Sequence, residues 1–85
     1  MTEERKQQER ERIGRRIAEL RKAVEWKDAI GITKHGISQA QLGTLCGLAC
    51  SHIARIEKGR YSVGFDTLQT IAEALGYDVD FTKKQ

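Results

Sequence analysis

Cys46 and Cys50 lie four residues apart, with His52 close by and His35 upstream. Thiolate and imidazole groups bind zinc, and a thiol can also react as a nucleophile or close a disulfide. The spacing argues against each of these chemistries. A closed zinc site takes four ligands, usually from two close pairs, and the chain has only one such pair. Cys46 also belongs to an apolar series with Leu42, Leu48, Ile53 and Ile56, which turns it toward a core and away from Cys50 and His52. A disulfide between the two cysteines would distort the turn at Gly47, so reduced thiols in a reducing compartment are expected. No nucleophile, base and orienting group can be assembled, and neither a glycine-rich phosphate loop nor an apolar-set carboxylate pair is present. The reading is a non-enzyme with no metal and no cofactor. What remains on the outward side of the segment is Cys50, Ser51, His52 and Arg55, a set of short polar groups and one guanidinium. Such a face forms hydrogen bonds and does not break bonds.

Two short helices must position that face, and the stretch Gln39 to Lys58 is written for them. Leu42, Cys46, Leu48, Ile53 and Ile56 mark the inward sides. Helices crossing at a steep angle need a residue without bulk where they touch, and Gly43 supplies it. The turn needs a residue tolerant of left-handed backbone angles, and Gly47 supplies that. This spacing predicts a helix-turn-helix, with helix 2 over about 39–46 and helix 3 over about 50–58, stopped by Gly59. A purely structural helix 3 would show Glu/Lys pairs to water, whereas this one shows Cys, Ser and Arg.

Around the motif the other elements can be read more coarsely. Residues 2–12 are mostly charged and lack large apolar side chains. They form either a helical extension or a disordered arm, and helix propensity favours the helix. Ile13, Ile17, Leu20 and Val24 recur at helical spacing, so helix 1 is expected to run to about Trp26 or Asp28, with Trp26 covering a core edge. Residues 29–37 read as a long loop with a short extended turn through Lys34, His35 and Gly36. Ser38 is a suitable cap for helix 2. Helix 4 is expected over about 65–75, with Leu68, Ile71, Ala72 and Leu75 inward, ending at Gly76. Residues 77–82 alternate apolar and polar as a strand does, with Val79 and Phe81 on one side. The resulting organisation is 1–12 as an extension of helix 1, 13–76 as the domain, and 77–85 as a tail. That tail is either a dimer strand or a frayed end in which Phe81 caps helix 4.

Eighty-five residues allow one small domain, and the absence of proline with 39% apolar residues suits a helical globule. The net charge of +3 is too small to establish a polyanion partner, but its distribution is informative. Lys27, Lys34, Arg55, Lys58 and Arg60 face only Asp28 and Glu57 across residues 26–64, while residues 65–85 are net acidic. The motif is the basic part, and the segment 65–85 should point away from a polyanion. No apolar run reaches membrane-spanning length and no signal-peptide core opens the chain, so a cytoplasmic protein is expected.

From Ile13 to Gly76 the chain resembles phage-repressor-like regulators of the Xre (lambda-repressor/Cro) type. The markers are Ile17-Ala-Glu-Leu-Arg21, Ser38-Gln39, Ile53-Ala-Arg-Ile-Glu-Lys-Gly59 and Leu68-Gln-Thr-Ile-Ala-Glu-Ala-Leu-Gly76, in that order. The resemblance implies a compact all-α domain of four to five helices, to which the alternating tail would add a short C-terminal strand. It implies binding to double-stranded operator DNA as a homodimer. By position it implies that Cys50, Ser51 and Arg55 approach base edges, and that Gln39, Lys58, Gly59 and Arg60 meet phosphates. It further implies that Arg21 and Glu57 pair to tie helix 1 to helix 3. On that face, a small side chain at Cys50 resting against a thymine methyl is a simpler role than a redox-sensing thiol. Three departures stand out: about ten extra residues between helices 1 and 2, Ala49 in place of a Ser or Thr cap, and an acidic tail in place of a fifth helix. A reading from a different class is an antitoxin that holds a toxin protein, to which the tail could add as a strand.

Overall fold

The structure, a computed structural model, describes residues 1–84. Its elements are α1 (Glu3–Ala23), β1 (Glu25–Lys27), β2 (Thr33–His35), α2 (Gln39–Cys46), α3 (Cys50–Glu57) and α4 (Phe65–Ala74). The fold is mostly helical, as expected.

The charged N-terminus is helix from Glu3 onward. Thr2 caps it through a 3.1 Å bond from the Arg5 amide, and Glu3 and Glu4 at its start, with Arg21 and Lys22 at its end, suit the helix dipole. Surface pairs Glu3–Lys6, Glu9–Arg12 and Arg16–Glu19 follow one another along its outer side. Such exposed pairs at helical spacing contribute little, because water screens them. The helix stops at Ala23, short of Trp26, because Val24 turns to extended backbone.

The segment after α1 is not the expected loop. Residues 25–35 form an antiparallel hairpin in which Glu25 faces His35, Trp26 faces Lys34 and Lys27 faces Thr33. Asp28 closes its end by accepting from the amides of Ile30 and Ile32 through one carboxylate oxygen. The Trp26 indole N–H donates to the Gly36 carbonyl at 2.8 Å, fixing the hairpin to its own base. Gly36 has φ +82, and a Cβ there would lie 2.8 Å from the Lys22 carbonyl oxygen, so only glycine fits.

The core consists of Ile17, Leu42, Ile53, Ile56, Ile71 and Leu75, with Ile13, Leu20, Val24, Leu48 and Leu68 packed against it. Full burial of each such side chain contributes roughly 1.5–3 kcal/mol. Helix α4 ends on Gly76 with the Tyr77 amide donating to the Ala72 carbonyl at 2.8 Å.

The tail departs from its expected form. No strand is assigned over residues 77–84. Instead the tail lies along α4, with the Val79 amide donating to Gln69 Oε1 and Gln69 Nε2 donating to Asp78. Val79 is half-buried, but Phe81 is fully exposed and neither faces inward nor caps α4. Alternation alone cannot make a strand without a neighbouring edge to pair with, and the two strands among the described residues pair with each other. Gln85 lies outside the described residues.

Candidate nucleic-acid interface

Local chemistry sets the angle between α2 and α3. Ser38 Oγ accepts from the Gln41 amide at 3.0 Å while Gln41 Oε1 accepts from the Ser38 amide at 2.7 Å, a complete capping box. At the crossing, a Cβ on Gly43 would lie 2.5 Å from the Leu48 carbonyl oxygen, so the residue without bulk is required there. Gly47 takes φ +71, and the Leu48 amide donates back to the Gly43 carbonyl at 2.8 Å. Ala49 opens α3 with no side-chain cap. The helix closes on Gly59 at φ +73, with Gly59 N–H donating to Ile56 and Arg60 N–H to Arg55.

This frame buries Ile53 and Ile56 and leaves Cys50, Ser51 and Arg55 exposed. Among the described residues none of those three side chains makes a hydrogen bond or ion pair within the chain. The sequence spacing puts His52 on the same outward face, and the structure corrects this. His52 is half-buried, its ring meeting Tyr61 edge-on with centroids 4.6 Å apart, and its buried Nε2 has no partner. The thiols also part company. Cys46 leans toward the Thr70 carbonyl, and burial pushes its thiol above the usual range, whereas Cys50 is exposed.

Behind α3 the structure brings together three of the expected residues. Arg21 grips Glu57 bidentately, Nε to Oε2 at 2.6 Å and Nη2 to Oε1 at 3.0 Å. Both side chains are at least nine-tenths buried. Arg21 gives a third bond to the Ile37 carbonyl at 2.8 Å, so it ties α1, α3 and the start of α2 at one point. Gln39 joins the same cluster, donating from Nε2 to Glu57 Oε1 at 3.0 Å. Its amide is thus held in place, with one N–H left over.

Lys58 and Arg60 project from the end of α3 into solvent, and neither has an ion-pair partner among the described residues. Gly59 differs from both. It is buried under α1, its N–H given to Ile56 and its carbonyl accepting from Gln7 at 3.2 Å. Its role in the structure is to let the chain turn there. Gln7 and Tyr61 carry no mark in the sequence, because contacts across 52 and 9 positions leave no periodic signal. Among the described residues, no helix is long and apolar enough to cross a membrane.

Residues 29–81, more than half of the chain, match the HTH_3 family, described as helix-turn-helix. No curated protein and no solved structure matches the chain.

Proposed function

Because the chain belongs to the HTH_3 helix-turn-helix family, the Xre/lambda-repressor-like kind, it is a DNA-binding transcriptional regulator, and we propose that it is a repressor binding a two-fold operator as a homodimer. The observation that carries this reading is the division of α3. Its inner side chains are buried, and Cys50, Ser51 and Arg55 stand exposed without partners in the described chain. Exposed polar side chains with no partner on the neighbouring turns are held by water alone, which a ligand can displace. Such groups along one helix face suit base edges in the major groove.

In this reading α3 enters the major groove, Arg55 pairs with a guanine, Ser51 hydrogen-bonds a neighbouring base, and the small Cys50 side chain rests against a thymine methyl. Gln39, Lys58 and Arg60 contact phosphates, which set register without reading sequence. Gly59 contributes the turn that aims its two neighbours. Two copies would place their α3 helices about 34 Å apart, on half-sites one helical turn apart. The tail would join the copies.

Selecting bound duplexes from a random pool tests the proposal. It expects an enriched inverted repeat with half-sites about one turn apart. Enrichment of no sequence, with equal binding to scrambled duplex, refutes the operator reading. Stable capture of a protein partner with loss of DNA selectivity would favour the antitoxin reading instead.

A further inference from the structure

The first turns of α1 add little to the core, yet they are tied to the loop that leaves α3. Gln7 donates from Nε2 to the Gly59 carbonyl at 3.2 Å, across 52 positions of sequence. Its amide is oriented by its neighbours. Gln7 Oε1 accepts from Arg10 Nε at 3.1 Å and Nη2 at 2.8 Å, and Nε2 also donates to Glu11 at 3.1 Å. Beside this bond Gly59 presses on the helix so closely that a Cβ there would lie 2.8 Å from the Glu11 Cα. Two residues on, the Tyr61 ring rests against His52 of α3. The loop is therefore pinned on either side of Arg60, once to α1 and once to α3. Lys58 and Arg60, which carry its charge, stay exposed.

We propose that Gln7 is a positioning residue for DNA binding, holding the Lys58–Arg60 loop through the Gly59 carbonyl so that both cations meet phosphates without first being ordered. The inference rests on the DNA-binding reading above. A free loop must lose backbone freedom when it docks, and fixing one residue beforehand is worth about tenfold in affinity. The three-partner network around the Gln7 amide supplies that fixation before any DNA arrives. Because the effect runs through phosphate contacts, it is independent of base sequence.

The test measures affinity for the selected operator and for a scrambled duplex over a range of salt, in wild type, Gln7→Ala, Lys58→Ala/Arg60→Ala and the triple variant. Gln7→Ala should bind both duplexes about tenfold more weakly with the log–log salt slope unchanged, since the same two phosphates are met once the loop is ordered, whereas Lys58→Ala/Arg60→Ala should make the slope shallower by about two. In the Lys58→Ala/Arg60→Ala background the same substitution should have little further effect, since the groups it positions are gone. Far-UV circular dichroism at the assay temperature should show equal folding in all four. Wild-type affinity in Gln7→Ala overturns the proposal, as does a loss that persists in full in the triple variant. If the wild type binds no duplex at all, the DNA-binding reading and this inference fall together. If it binds and Gln7→Ala binds equally well, only the positioning role falls.

Discussion

Arg55 is exposed, unpartnered among the described residues and one helical turn beyond Ser51 on α3, so its guanidinium is free to meet a guanine through two bonds. Arg55→Ala should weaken cognate binding by about 1–3 kcal/mol and relax preference at one base pair, measured by competition among single-base operator variants. An equal loss on every variant would make it a phosphate contact instead. Glu57 acts from the other side of the helix. It holds the buried Arg21 bidentately and accepts from Gln39, so Glu57→Ala leaves a buried guanidinium with the Ile37 carbonyl as its one remaining bond. Breaking a buried pair from one side costs roughly 3–5 kcal/mol, a large part of a small domain's stability. Thermal unfolding should show a drop of many degrees, and a shift of one or two would show the pair to be dispensable. The sequence located Arg21 and Glu57 only through resemblance, since 36 positions separate them and no local pattern links them. The outward residues of α3 were legible from spacing alone, except His52, whose place depends on where the Tyr61 ring falls.

Helices α2 and α3 were legible nearly to the residue because their signals are local: Ser38 caps, Gly43 clears the crossing, and Gly47 and Gly59 turn left-handed. The hairpin was not legible. Five of its six strand residues are exposed and polar, so they show no apolar alternation, and the element is held instead by Asp28 and by the Trp26 bond to Gly36. Helix α3 also carries a local weakness that the sequence did reveal, the missing cap at Ala49. Ala49 already has the extended backbone of a capping residue, with φ −67 and ψ 147. Ala49→Ser should therefore gain an Oγ bond to an amide of the first turn and stabilise the domain by about 1 kcal/mol. That corresponds to roughly 4–8 °C in melting temperature for a chain of this size. Scanning calorimetry checks it, and an unchanged melting point would mean that solvent already satisfies those amides fully.

At the scale of the whole molecule, the core accounts for the packing of the four helices but not for the tail. Residues 77–82 alternate in sequence like a strand, lie beside α4 and find no edge within the described chain. Val79 is half-buried at α4, while Phe81, the largest apolar side chain of the tail, is fully exposed. A ring left in water gives up the roughly 1.5–3 kcal/mol that burial would contribute, and a domain whose core holds six buried apolar side chains has little to spare. A second copy related by a two-fold axis would bring two such tails together and offer each the edge and the apolar neighbour it lacks. The tail carries Asp78 and Asp80 against Lys83 and Lys84, so it brings no net positive charge to a contact between copies, unlike the motif with Lys58 and Arg60. Light scattering at micromolar concentration should give a dimer mass for the full chain and a monomer mass after deletion of residues 77–85. Phe81→Ser should shift the equilibrium the same way without shortening the chain. A full chain that is monomeric, or a truncated chain that remains dimeric, would assign the two-fold contact to another surface and leave Phe81 without a role in pairing.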